Sequence, residues 1–378
     1  MAGSPPRSGP ARLVARLQRL PRGVLVAIGF GAIAVLAVID YFAPPELSFL
    51  IFYVAPILFL VWFVGRQAGF LGSAATALFW YYEDVMSPHR WPSESAADWN
   101  IAVRLLFLLA FVWVVAELKS ALERERAAAQ ERLERDVRIA GEVQKRLFPP
   151  SDPAIPGLEC HGICGPAQGV AGDYFDFLPL PEGRFGIAVG DVAGKGLPAA
   201  LLMASLQGAL RSLASRSADG LVGLVGTLNA QIHSLTADYR FATLFWGVFD
   251  EKEHRLAYVN AGHNPPMLLR GSGAIERLRT GGPPLGILGE GASYQSDSVT
   301  LAPGDLLVIF TDGVTEAANA VNEQFGDERL ERILREASTE PVAGVCDSVL
   351  AAVVAFEEGQ PQNDDITLVA ARARSHFA

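Results

Sequence analysis

The sequence predicts an α+β fold: a layered domain of strands and helices, preceded by about four membrane-crossing helices and one long charged helix. Three observations predict it. Half of the 378 residues are apolar, and mean hydropathy is positive at +0.26, which a soluble chain of this size seldom shows. The longest apolar runs fall in the first third. From about residue 151, short apolar strands come in runs with helices gathered between them, which argues α+β rather than a doubly wound sheet.

Residues 1–22 contain five arginines and no acid. Gly23–Ile39, Leu47–Val64, Gln67–Tyr82 and Ile101–Ala116 follow as apolar runs near the length of a bilayer span. The third, rich in Gly and Ala, also fits a re-entrant segment. The basic tail and Arg66 are expected on the cytoplasmic side, and the acidic segments 40–46 and 83–98 outside. A cleaved signal peptide would explain only the first run. Glu83, Asp84, His89, Asp98 and Arg104 could form a ligand or ion sensor, or be solvated boundary charges. A channel or transporter is disfavoured, since the spans lack an extended set of intramembrane charges.

Residues 117–148 change character to dense charge and helix formers. Leu118, Leu122, Ala129, Leu133, Val137, Ala140 and Leu147 form a sparse stripe at three- and four-residue steps. This predicts a coiled-coil-like helix that continues the fourth span and pairs with a second copy, until Pro149-Pro150 stops it. The domain plan is therefore a basic tail at 1–22, a four-span sensor or anchor at 23–116, this linker at 117–148, and the layered domain at 149–378.

In the layered domain, Phe185–Val189, Thr243–Phe249, Leu256–Val259, Met267–Leu269, Leu306–Phe310 and Ile366–Ala370 read as strands. Pro198–Ala214, Leu221–Leu235, Arg329–Glu336 and Val342–Phe356 read as helices. Four acidic clusters sit on turns: Gly172–Asp176, Gly190–Gly196, Thr311–Ala317 and Asn363–Thr367. Carboxylates at strand ends can converge in space. Such a cluster repels itself unless cations enter it, which points to hard metal ions with oxygen ligands. The formal net charge of −10 argues against nucleic acid as a partner. Three cysteines suggest reduced thiols, and Cys160 with Cys164 lacks the second ligand pair of a zinc site.

The motifs VAGDYFDF, GDVAGKGLPAALLMA, FATLFWGVFD, NAGHNPPMLL, PLGIL, LAPGDLLVIFTDGVTEA, FGDERL and NDDITLV occur in this order. Together they resemble the SpoIIE-like branch of the PPM metal-dependent serine/threonine protein phosphatases, over roughly residues 140–373. The resemblance implies a β-sandwich of two antiparallel sheets flanked by helices, with two Mn2+ or Mg2+ ions at one end. It assigns metal ligation to Asp173, Asp191, the Val192 carbonyl, Asp312 and Asp364. Asp191 would bridge both ions, and Asp191 and Asp173 would act through metal-bound water, a hydroxide attacking the phosphorus in line. Asp365, adjacent to Asp364, and Asp176 are assigned outer roles or possible ligation. Lys195 reads as a turn lysine or a phosphate contact, and His263 as a hairpin residue or a general acid. Ala171 stands where the family usually has glycine.

The resemblance further implies a membrane-anchored bacterial signalling phosphatase acting on a phosphorylated protein, an anti-sigma-factor antagonist. The alternative is a catalytically silent membrane receptor that binds a phosphoprotein. The expected location is the bacterial inner membrane, with the N terminus and the phosphatase domain cytoplasmic. The expected partners are the phosphoprotein, a second copy through residues 117–148, and the lipid bilayer, with no nucleic acid.

Overall fold

The computed structural model describes residues 13–14, 16–43, 49–86, 94–215, 220–235, 240–289 and 291–374. The chain divides into two compact units, Met1–Arg132 and Leu133–Ala378.

The first unit is helical. Its helices are α1 (Arg22–Tyr41), α2 (Leu50–Phe59, prolonged by a π-helical turn Leu60–Val64) and α3 (Arg66–Met86). The next helix, α4 (Glu94–Lys145), starts here and continues past residue 132. Gly23–Ile39, Gln67–Tyr82 and Ile101–Ala116 fall within these helices, and the run Leu47–Val64 is helical from Leu50 on, its residues 47–48 lying outside the described residues. By length and composition α1 and α4 are able to cross a membrane; Leu50–Val64 is apolar but shorter. Pro56 lies inside α2, just before the π turn, as expected of a residue that removes a helix hydrogen bond. The Tyr53 hydroxyl and the Trp80 indole N–H donate to Asp40 at 3.3 and 3.2 Å, tying α1, α2 and α3 together. The Arg104 guanidinium lies over the Trp80 ring, 5.2 Å from its centroid. Glu83 is buried, so it is not a solvated boundary charge. His89 lies outside the described residues.

The second unit has four layers. One sheet runs β1 (Ala154–Ile155), β2 (Leu158–Gly165), β12 (Ile366–Ala373), β11 (Leu306–Phe310), β7 (Met267–Leu269), β8 (Ile275–Arg277). The other runs β10 (Asp297–Thr300), β6 (Arg255–Ala261), β5 (Ala242–Asp250), β4 (Arg184–Val192), β3 (Tyr174–Leu180). Pairing within both paths is antiparallel. The short β9 (Gly281–Gly282) adds one parallel pairing to β6, so the second sheet is mixed rather than purely antiparallel.

The two-residue period of a strand explains the layers. Phe175 and Phe177, Ile187 and Val189, Phe245 and Phe249, Leu307 and Ile309, and Val369 and Ala371 fill the core between the sheets. Their neighbours Tyr174, Ala188, Leu244 and Trp246 face outward onto helices α5 (Leu197–Ala214) and α6 (Gly220–Leu235). Leu306, Val308, Phe310 and Leu368 face α8 (Gly326–Glu336) and α9 (Val342–Glu357) on the other side. Helix α5 is also apolar enough to cross a membrane. Its Leu202, Met203, Leu206 and Leu210 are instead buried in the layered core.

Cys160 and Cys164 both contact the inter-sheet core from β2. Four residues along a strand separate them by about 13 Å, too far to share an ion. Burial raises both thiols, Cys160 to about 12, so they stay protonated.

Candidate metal centre

The same period brings the acids together. Asp173 precedes Phe175 by two residues, and Asp191 follows Val189 by two. Both therefore face the inter-sheet gap at its end. Asp191 stands opposite Thr243 in the β4–β5 ladder. From the other sheet, Thr311 follows Ile309, and Thr367 precedes Val369. The Thr311 hydroxyl donates to Asp173 at 2.7 Å, linking the sheets at this end, and accepts the Thr367 N–H at 3.0 Å.

Each remaining acid of the cluster has a defined position. Asp312 opens the one-turn helix α7 (Asp312–Thr315) directly after β11. A Cβ on Gly313 would stand 1.9 Å from the Asp365 carbonyl oxygen, so only glycine allows this approach. Asp365 is buried and accepts the N–H groups of Ala167 (2.7 Å) and Gly172 (2.6 Å). Asp364 is half-exposed and pairs with Lys195 at 2.8 Å; Lys195 also donates to the Asn363 carbonyl. The Val192 carbonyl faces the Gly172–Asp173 turn, 3.2 Å from the position a Gly172 Cβ would take.

Asp176 lies apart from this cluster. It faces outward, as the alternation requires, and its side chain is fully buried. It accepts Arg211 Nε and Nη2 at 2.6 and 3.0 Å and the Tyr174 hydroxyl at 2.9 Å. This pairing ties β3 to α5. His263 is buried behind Thr243, with Nδ1 2.8 Å from its hydroxyl. Burial lowers its pKa to about 3, so it is neutral and a poor proton donor near pH 7. Lys195 is fixed to residues 363–364.

The electrostatics of the cluster show what it favours. Burial and then the Asp191 charge push Asp173 well above the ordinary carboxylate range. Burial, then Asp312, Asp364 and Asp365, raise Asp191 to about 7. Burial, then Asp364 and Glu316, raise Asp312. The Lys195 charge opposes this rise at Asp312. The oxygen-only donors therefore fit hard divalent cations. Among the described residues no three His, Cys, Asp or Glu side chains already close on one point. The arrangement is a converged cluster that a bound ion would draw tighter.

Sequence reasoning missed Gln144. From the last turn of α4 it donates to the Ala171 carbonyl at 2.7 Å and accepts the Ala171 N–H at 2.8 Å. A glutamine among the apolar positions of VQKRLFPP was the available signal. Thr311, Thr243 and Arg211 were also missed.

The fold is that of a PP2C-type phosphatase domain. The SiaA-PP2C domain of Pseudomonas aeruginosa superposes with a TM-score of 0.56 at 22% identity, over 66% of this chain and 99% of that one. Residues 181–374 match the stage II sporulation protein E (SpoIIE) family, and the chain belongs to this family of PPM-type phosphatases. Protein IcfG of Synechocystis sp. is 30% identical over 69% of this chain, which spans 44% of IcfG. Phosphoserine phosphatase RsbU of Bacillus subtilis is 29% identical, over 65% of this chain and 72% of RsbU.

Proposed function

We propose that this chain is a membrane-anchored, divalent-metal-dependent protein phosphatase of bacterial signalling that acts on phosphoserine or phosphothreonine. The observation that carries this reading is the convergence of Asp173, Asp191, Asp312 and Asp364 at one end of the sandwich, with burial raising three of them. These four carboxylates and the Val192 carbonyl would hold two ions, Mn2+ or Mg2+. Bound there, such ions lower the pKa of water and neutralise phosphate oxygens.

The chain's own residues prepare that site. Thr311 fixes one Asp173 oxygen. Asp365 ties the 167–172 loop to the start of β12 through two N–H groups, which supports an outer role for it and direct ligation by Asp364. Lys195 holds Asp364 towards the cluster. Asp176 anchors β3 through Arg211, which supports an outer role for it.

The anchor rests on α1 and α4, which have the length and composition of membrane spans. Four spans with a cytoplasmic N terminus follow from the charge distribution. Exposed Leu118, Leu122, Leu133, Ile139 and Val143 along α4 support pairing with a second copy. The Gln144–Ala171 clamp gives that helix a route to Asp173, two residues on. The substrate is proposed to be an anti-sigma-factor antagonist, by kinship with RsbU-type phosphatases.

The test is phosphate release by the full chain in lipid vesicles from a serine-phosphorylated antagonist, with Mn2+ and with chelator. Release that needs Mn2+ is expected. Tight binding without release would contradict the reading and favour a silent phosphoprotein receptor.

A further inference from the structure

A groove of about 490 Å3 adjoins the acidic cluster. Gly313, Asn363, Asp364, Lys195, Glu316 and Glu357 line it, and the Glu316 charge acts on Asp312 of the cluster. Part of the wall is the turn 318–324, whose Ala318, Asn322 and Gln324 line the groove. Its ends pair through Ala318 and Gln324, and Asn319 Oδ1 accepts the N–H groups of Val321 and Glu323 at 3.2 and 2.9 Å. The groove is therefore preformed rather than a gap between loose loops.

Its charges do not balance. Lys195 is the one cation among the lining residues, against three carboxylates. Asp364 and the Asn363 carbonyl already engage it. Glu357, at the end of α9, is only 7% exposed, and among the described residues no hydrogen-bond or ion-pair partner meets its carboxylate. Burial alone raises its pKa. Arg329, whose guanidinium lies over the neighbouring Phe356 ring, is committed to Glu323 and to the carbonyls of Gln324 and Phe325. A carboxylate partly removed from water, beside two others and without a counter-charge, is costly to maintain. A cationic group entering the groove would remove that cost.

We propose that this groove receives a lysine or arginine side chain of the phosphoprotein substrate, close in sequence to the phosphorylated residue, with Glu357 as its specificity-determining partner. The inference rests on the phosphatase reading. Because Gly313 and Asp364 belong to both the cluster and the groove, a peptide with its phosphate at the cluster has its flanking residues at the groove. The surplus of carboxylates also disfavours acidic flanks. The occupant is thus tethered through the substrate chain, unlike a free amine.

The experiment uses phosphoserine peptides that carry lysine, alanine or glutamate at each flanking position in turn. Binding to the full chain in lipid and Mn2+-dependent turnover are both measured. At one or two positions the lysine peptide is expected to exceed the alanine peptide by about tenfold, as for a partly desolvated ion pair. In Glu357→Gln that ratio is expected to fall towards one, and Glu357→Lys is expected to favour the glutamate peptide. The ratio is internal to each protein, so a partial folding defect does not alter it. Equal handling of all peptides by the parent, or a lysine preference that survives in Glu357→Gln, would overturn the proposal. A lysine preference in binding without any turnover would support the groove and defeat the phosphatase reading instead.

Discussion

Gln144 grips both backbone groups of Ala171, so the last turn of α4 is fastened two residues from Asp173. A single side chain thus joins a helix that starts in the apolar unit to the turn that presents a candidate metal ligand. Gly141, one turn earlier, packs against the same loop: a Cβ there would stand 2.2 Å from the Gly169 carbonyl oxygen.

Loss of that grip should weaken metal binding before it unfolds the domain. Gln144→Ala removes two hydrogen bonds from buried backbone groups, a cost of about 1–3 kcal/mol. The Mn2+ concentration needed for half-maximal activity is expected to rise, while near-saturating Mn2+ restores most of the rate. A rate and Mn2+ requirement equal to the parent's would show that the clamp has no link to the site.

The metal-free protein should lose stability as pH rises. A carboxyl whose folded pKa lies above its unfolded value binds more protons folded than unfolded between the two. Its contribution is full below the unfolded pKa and is lost as pH climbs through the folded one. For Asp191 that window runs from about 3.8 to about 7, with Asp173 and Asp312 shifted in the same direction. Thermal melts with chelator are expected to show Tm falling across this window. The fall should be smaller in Asp191→Asn and smaller in excess Mn2+. A metal-free parent no more pH-sensitive than Asp191→Asn would refute the electrostatic account.

Arg211→Ala should destabilise the domain by about 2–4 kcal/mol, because it leaves the Asp176 carboxylate buried with only Tyr174 and a backbone N–H. Arg211 is itself 42% exposed, which favours the lower end. Denaturant unfolding measures this. The Mn2+ requirement of the folded fraction is expected to stay at the parent value, since Asp176 faces away from the cluster.

Gly313→Ala should damage folding and the site together. Its new methyl would overlap the Asp365 carbonyl, and relief requires β12 or the Asp312 turn to move. Circular dichroism and Mn2+ calorimetry are expected to show a lower Tm and weaker binding. An alanine variant that binds Mn2+ as the parent does would show that the turn has slack.

Much of this architecture was legible in the residues. Leu306–Phe310 and the start of β12 were readable because an apolar run ends at an acidic turn, and each of the four apolar runs of the first third carries a helix. The second strand, Leu158–Gly165, was not, since its alternation is carried by Cys, His and Gly rather than by β-branched residues. Tyr174–Leu180 was seen as a motif but not as a strand, because its outward face holds Asp176, whose partner Arg211 lies 35 positions away. The acids Asp173, Asp191 and Asp312 were readable through glycine-flanked turns, and Asp364 through the NDDIT motif. Gln144 and Thr311 were not, because their value comes from backbone and carboxylate partners that only the folded chain supplies. Glu357 follows directly on the helix read at Val342–Phe356, and only its burial in the folded chain marks it.

The central claim is that the Asp191 cluster is a divalent-metal centre that removes phosphate from protein. Phosphate release from a phosphoserine protein by the full chain in lipid, titrated with Mn2+ beside Asp191→Asn, tests it most directly. The account predicts metal-dependent release by the parent and release near background in the variant at every Mn2+ concentration. Equal release by both proteins, or release by the parent that persists in chelator, would contradict it.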